Sequence, residues 1–509
     1  MPCLRRRAHR AAPPTPSYSD ADRVRDRQHP GVTQQAVPAR CPRADRGSTV
    51  ADSPIDSTAA AASAAPWHGH GAALRPAGTR EVLLRVLSIA LVLVRRLPVA
   101  AWQTLSSRMP LARRHVRHGD DWLVSTITEL GPAFIKVAQM LSTRADLLPE
   151  HRCRELAALY DTGPPIPLAE LEAALVSSLD ATTRTAVLAS AGKPLAAGSI
   201  ACVYRAVLPD GSEVAVKVRR PGIEHSLRVD MTIMRWAARG LSRLPWLRGV
   251  PFAEIITQLT AAVYAQLDFE QERVNLALLR DHLAGRDGIR IPAVHEELSS
   301  GNVLVMEFIP GLRRDSAAEM TEVDRVGAVT AALRAVYQML FLDGLVHCDL
   351  HPGNLYLGPG AGAVIVDAGF TVRLSVHAQD RFSSFFYYMS VGRGEACADV
   401  VLSTVEPGPA TDVDGFRNEI RALIDANTGV PAAEFDLVGF ATQLFAIQRR
   451  YGLYADPQFV FPILSLLVME GTIRDYAPGI DFQGEAVPFL AKNMIARRLQ
   501  IAKAEQHTA

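Results

Sequence analysis

Three oxygen-bearing side chains stand at a spacing suited to phosphate chemistry. Asp349 and Asn354 are five residues apart, and Asp367 follows thirteen residues after Asn354. They belong to the runs HCDLHPGN, His347 to Asn354, and VIVDAG, Val364 to Gly369. Phosphoryl transfer asks for positioning and charge neutralisation more than for covalent help. One carboxylate orients the nucleophile, an amide oxygen holds a metal ion, and a second carboxylate bridges magnesium to the phosphates. Asp349, Asn354 and Asp367 supply those chemistries in that order. The apolar run before Asp367 predicts a strand that delivers it to a turn. A surface turn could account for HPGN alone, but not for the whole set.

A cation for the same phosphates is available in EVAVKV, Glu213 to Val218, where alternating apolar residues predict a strand carrying Lys217. Basic residues are overwhelmingly Arg, and the only lysines are Lys136, Lys193, Lys217, Lys492 and Lys503. A lysine kept against that bias suggests a site needing a compact ammonium, which a guanidinium cannot imitate. One strand upstream, PLAAGSIACVYRA (Pro194 to Ala206) offers Ala196, Ala197, Gly198 and Ser199 as a phosphate-covering loop. Small side chains let backbone N–H groups approach phosphate, although Ala permits fewer conformations than Gly. A helical partner for Lys217 is expected in AQLDFEQERVN (Ala265 to Asn275), where Asp268 and Glu272 are four apart and share a face.

The elements that must position these groups are strands clustered at 190–220 and 303–308, with helix before, between and after them. That order predicts an α+β fold with a small mixed lobe and a larger helical one. The length of 509 residues suffices for two lobes and extensions. Residues 1–80 are rich in Arg, Pro and Ala, lack periodicity and read as disordered. They carry no secretory signal, and Asp20, Asp22 and Asp26 argue against a transit peptide. Residues 81–118 read as an apolar or amphipathic helical segment. Its uncharged run, Val86 to Val94, is too short for a bilayer span, so a buried or interfacial helix is expected, with peripheral membrane contact through 81–104 as the other reading. A helical extension at 119–185, a small lobe at 186–308, a helical lobe at 309–482 and a tail at 483–509 complete the expected organisation. The net charge of +1 gives no global field for nucleic acid or an anionic membrane, and six scattered cysteines give neither a disulfide framework nor a zinc site.

With these motifs in place, residues 120–480 resemble the UbiB/AarF family of atypical protein kinase-like proteins. LGPAFIKVAQMLSTRADLLPE (Leu130 to Glu150) resembles the family's extension with its K-x-G-Q motif, and LLVMEGTIRDYAP (Leu466 to Pro478) also appears in family order. The resemblance implies a protein kinase-like two-lobed fold with an N-terminal helical extension that hinders protein substrates. It implies ATP and Mg2+ as cofactors, ATPase activity better supported than protein phosphorylation, and service to isoprenoid quinone biosynthesis. Lys217 would then contact phosphates with Glu272 as its partner. Asp349 would be the catalytic-loop acid, and Asn354 and Asp367 the metal ligands. Lys136 and Gln139 would belong to the occluding extension, and Met306, Glu307 and Phe308 to the adenine hinge.

The chain departs from the family at four places. Ala138 stands where K-x-G-Q has Gly, and Gln266 stands where E-x-D has Glu, which would leave Lys136 with at best a neutral partner. Gly198 replaces an Ala and would loosen the phosphate loop, and Ala368 replaces the Phe of DFG. Terminal membrane helices of anchored members are not visible, so a cytoplasmic protein, soluble or peripheral at a membrane, is expected. The phosphate acceptor is open: a lipid, a quinone precursor or a protein. Two other readings stand beside this one, a small-molecule kinase resembling aminoglycoside phosphotransferases and a nucleotide-binding scaffold with little turnover.

Overall fold

A computed structural model describes residues 77–107, 122–142, 148, 150–159, 163–243, 252–358, 362–405, 407–408, 411–430, 434–453 and 457–508. The disorder expected for 1–80 therefore lies almost wholly outside the described residues. Six helices come first: α1 (Thr79–Ser107), α2 (Trp122–Leu130), α3 (Pro132–Ser142), α4 (Glu150–Ala157), α5 (Leu168–Val176) and α6 (Ala181–Ala189). Gly131, at φ +100°, turns the chain between α2 and α3, and Pro132 opens α3, where a missing N–H costs nothing. Helix α3 is buried nearly all round, and its buried set includes Lys136 and Gln139 as well as Ile135, Val137 and Met140.

The small lobe is a four-stranded antiparallel sheet in the order β1 (Ala196–Ala197), β2 (Ala201–Val207), β3 (Glu213–Arg219), then β5 (Val303–Glu307), with β4 (Ile289–Arg290) lying elsewhere. Strand period sets its two faces. Val214, Val216 and Val218 of β3 are wholly buried on one side, where Leu171, Leu175 and Val187 of α5 and α6 cover them. Lys217 must therefore face the other side, opposite Val203 and Leu304 in the ladders. Helix α5, within the stretch expected as extension, and α6, which crosses its expected end at 185, thus complete the core of the small lobe.

Between β3 and β5 run α7 (Ile223–Leu241), α8 (Phe252–Ala265) and α9 (Phe269–His282). The large lobe holds α10 (Ser316–Glu319) and α11 (Glu322–Tyr337), then β6 (Leu345–His347), β7 (Leu355–Gly358), β8 (Gly362–Ile365) and β9 (Thr371–Arg373). It ends with α12 (Val376–Ser390), α13 (Gly394–Leu402), α14 (Val413–Asn427), α15 (Leu437–Arg450), α16 (Pro457–Tyr476) and α17 (Phe482–Thr508). Besides β8, the strand expected before Asp367, the region read as helix and loop after 308 thus contains the short strands β6, β7 and β9. β6 pairs with β9, and β7 with β8, which in turn pairs with β4. Helix α17 replaces the expected tail, and Phe482, Ala486, Phe489 and Leu490 join the main core. One described helical stretch, Glu322–Asp343, has the length and apolarity of a membrane span, but 56% of it is buried within the fold.

Candidate active site

Strands β6 and β8 deliver the loops that carry Asp349 and Asp367 to one another. Val366 N donates to Asn354 O at 3.0 Å and Cys348 N to Phe370 O at 2.9 Å, which ties the two loops side by side. His347 locks them. Its Nδ1 accepts from Asp349 N at 3.1 Å, so Nε2 bears the proton and donates to Asp367 O at 2.7 Å. Burial pushes the His347 imidazolium down, in keeping with that neutral tautomer. Asn354 Nδ2 donates to Asp349 O at 2.8 Å, which fixes the amide and turns its oxygen end away. Gly369 N donates to Asp367 Oδ1 at 2.9 Å, and Asn275 Nδ2 of α9 reaches Ala368 O at 3.1 Å.

Lys217 sits between two carboxylates. Its Nζ donates to Glu272 Oε1 and Oε2 at 2.6 and 2.8 Å and to Asp367 Oδ2 at 2.6 Å. Of the two acids open on Ala265–Asn275, Glu272 takes the ammonium, while Asp268 caps α9 by accepting from Gln271 N at 3.0 Å. Burial opposes the charge on Lys217, but Asp367 and Glu272 outweigh it and hold the ammonium above its usual range. Burial and the nearby Asp367 push Glu272 up to about 7 against the pull of Lys217. Burial would also raise Asp367, but Lys217 prevails and holds it far below the usual carboxylate range.

At the other end of the cleft Lys136 Nζ lies 3.4 Å from Asp349 Oδ2, both groups being buried. Burial would raise Asp349, yet Lys136, followed by His351 and His347, holds it low. His351 Nδ1 accepts from Gly353 N at 2.9 Å, so its protonated Nε2 is the atom 3.8 Å from Asp349 Oδ2. Burial drops His351 to about 4. This corrects the expectation that Gln266 would leave Lys136 with a neutral partner. A buried ammonium needs a carboxylate, and Asp349 provides it. The Gln266 Nε2 is itself buried without a hydrogen-bond partner.

A cavity of about 290 Å³ joins these ends. Lys136, Gln139, Ala196, Gly198, Ser199, Lys217, Glu307, Phe308, Asn354 and Asp367, all chosen from sequence, line it. Glu272 and Asp349 stand just behind Lys217 and Lys136, and Ala197 packs towards the small-lobe core instead. Gln139 donates to Leu159 O at 2.8 Å, tying the extension to α4's end. The hinge is anchored by Glu307 N on Ala293 O at 2.8 Å and Phe308 N on Glu213 O at 3.2 Å.

The phosphate loop is braced rather than loosened. Gly198 N donates to Ala201 O at 2.9 Å, and Arg220 Nε donates to Gly198 O at 2.9 Å. Gly163 N reaches Ala197 O at 2.9 Å, and a Cβ on Gly163 would lie 2.6 Å from Gly198 O, so only glycine allows this approach. Gly163, Asn275, His347 and His351 had no weight in the sequence reading. Their roles arise from partners distant in the chain or from imidazole tautomers, although the two histidines flank Asp349 in the motif itself.

The two lobes, the ammonium held on a helix carboxylate and the paired loops define a protein kinase-like class. Residues 158–400 match the ABC1 atypical kinase-like domain. These residues carry an atypical kinase-like domain, and the chain is similar to UbiB proteins over most of its length. It is 29% identical over 381 residues to the probable protein kinase UbiB of Marinobacter nauticus, covering 73% of this chain and 69% of that one. It is 26% identical over 432 residues to the uncharacterized protein sll0095 of Synechocystis, covering 82% and 75%. A solved structure, the Rv3197–erythromycin complex from Mycobacterium tuberculosis, aligns over 70% of this chain and 95% of that one at 21% identity, with a TM-score of 0.43.

Proposed function

We propose that this chain is an ATP- and magnesium-dependent phosphotransferase or ATPase of the UbiB type, in the service of isoprenoid quinone or lipid metabolism. One observation carries the chemistry: the Lys217 ammonium lies between Glu272 and Asp367 at the edge of the cleft that Asn354 also lines. Lys217, held in place by Glu272, would donate to the phosphates of ATP.

The donor set suits magnesium, which takes one or two protein oxygens and completes its shell with phosphate and water. Asp367 gives a carboxylate that stays ionised, and Asn354 gives an amide oxygen whose orientation the Asp349 carbonyl fixes. Among the described residues no cluster of three His, Cys, Asp or Glu competes for a metal. Magnesium held there would neutralise charge developing on the transferred phosphoryl group. Asp349, ionised at neutral pH, would orient the attacking hydroxyl or water once Lys136 yields its place. The quinone or lipid setting rests on the family resemblance alone.

The decisive measurement is phosphate release from ATP with and without magnesium. Wild-type protein is expected to hydrolyse ATP only with the metal, and Asp367→Asn to lose at least 100-fold, the usual scale for removing a preorganised electrostatic group. Hydrolysis unchanged in Asp367→Asn would overturn the reading.

A further inference from the structure

We infer that a separate anion site lies behind the phosphate loop, in a cavity between α5, the end of β3 and the start of α7, and that it takes a phosphate monoester. The cavity measures about 590 Å³, and Arg219, Arg220 and Arg228 line it. Their guanidiniums are poorly neutralised. Arg220 spends its bonds on two carbonyls, donating from Nε to Gly198 O at 2.9 Å and from a terminal nitrogen to Pro164 O at 2.5 Å. Arg228 donates to His225 Nδ1 at 2.8 Å, while its Nε is buried and donates to nothing. Arg219 donates to Leu267 O at 2.9 Å and lies 4.0 Å from Glu224. Among the described residues that is the one carboxylate within ion-pair reach of the three. Glu170 also lines the cavity, so two carboxylates face three guanidiniums.

The donors identify the ligand. A guanidinium presents a planar fork that matches carboxylate or phosphate oxygens. Three forks around one space ask for more acceptors than a carboxylate has, and a phosphate monoester presents three oxygens. Helix α7 starts at the cavity from Gly222 with no side-chain cap, so its first N–H groups add donors for the same anion. The volume falls in the range of small-molecule sites, about 300–1,000 Å³, which leaves room for the organic part of the ester. Arg220 links this site to the cleft, because its guanidinium joins Pro164 to Gly198 of the phosphate loop. An anion that fixes Arg220 would steady that loop and, on the function proposed above, tighten nucleotide binding.

Calorimetric titration of the full chain with inorganic phosphate, without nucleotide, tests the site, with acetate as the control. The wild type is expected to bind phosphate more tightly than acetate. Arg228→Gln should weaken phosphate binding about tenfold or more, the scale of one charge-assisted hydrogen bond. Ser177 is exposed, lines the cavity and makes no side-chain hydrogen bond among the described residues. Ser177→Glu therefore adds a carboxylate there without breaking a contact, and it should weaken phosphate binding as much with an unchanged melting temperature. Lys217→Met, which removes the ammonium of the cleft, should retain the binding. Phosphate bound equally by wild type, Arg228→Gln and Ser177→Glu, or lost in Lys217→Met instead, would overturn the site. Phosphate should also raise the affinity for a non-hydrolysable ATP analogue about fivefold in wild type, and not in Ser177→Glu. Phosphate binding with no such shift would overturn the link through Arg220. A chain that binds phosphate in this cavity but no nucleotide would count against the ATP reading and support the anion site.

Discussion

The two ends of the cleft are built on different terms. At the small-lobe end one ammonium is saturated: Lys217 makes three bonds of 2.8 Å or less to carboxylates delivered by α9 and by the loop after β8. At the Asp349 end the contacts are longer, 3.4 Å to Lys136 and 3.8 Å to His351. On the proposed function the first end would hold a triphosphate, whose chemistry is always the same, and can be preorganised. The second would admit an acceptor, at a place where Lys136 of the chain's own extension now lies. Tight pairing would then mark the fixed half of the reaction and loose pairing the half that must open.

The strongest way to break this contrast is Lys217→Met. Losing the cation that organises both carboxylates should cut ATP hydrolysis by about 100-fold or more, measured as phosphate release at saturating magnesium. A loss of only a few-fold would mean that the saturated end does not carry the chemistry.

A second test works on the looser end through pH. On the proposed function Asp349 would act only when ionised, and Lys136 is the leading influence that keeps it so. In Lys136→Ala its pKa should rise. The acid limb of the pH–rate profile should then move to higher pH. The wild type should keep its rate into more acidic buffer, and an unmoved limb would show that Lys136 does not govern Asp349.

How much of this was readable beforehand follows from where each signal lies. Lys217 announced itself twice, by strand alternation and by the scarcity of lysine, and Asp349, Asn354 and Asp367 by their spacing. Strands β4, β6, β7 and β9, of two to four residues, are too short to leave a period. Lys136 and Asp349 are 213 residues apart, so their pairing is a product of the fold and no local pattern encodes it. Gly163 reads as an ordinary loop glycine until the phosphate loop is seen pressed against it.

Glu272 gives a smaller effect with an instructive sign. Its carboxyl titrates at about 7 in the folded protein, above its ordinary value of 4.5. The folded state thus holds the proton more tightly than the unfolded chain, and stability falls as pH rises from about 4.5 through 7. Glu272→Gln removes that dependence. Thermal melting of the variant should equal or exceed the wild type at pH 8 and lose the advantage near pH 5, even as ATP hydrolysis drops. A variant clearly less stable at pH 8 would show that the bond to Lys217 outweighs the cost of burying the charge.

The smallest effect compares two amides lining the same cleft. Gln139 donates to the Leu159 carbonyl at 2.8 Å, whereas the Gln266 amide nitrogen is buried and donates to nothing. Replacing a satisfied donor strands its acceptor, at about 1–3 kcal/mol, whereas replacing an unsatisfied one removes a desolvation cost already present. Methionine is close in volume to glutamine and adapts to an irregular site. Gln139→Met should therefore lower stability to urea by about 1–2 kcal/mol, and Gln266→Met should leave it unchanged or raise it by about 1 kcal/mol. Equal losses in the two variants would mean that Gln266 has a partner in solution.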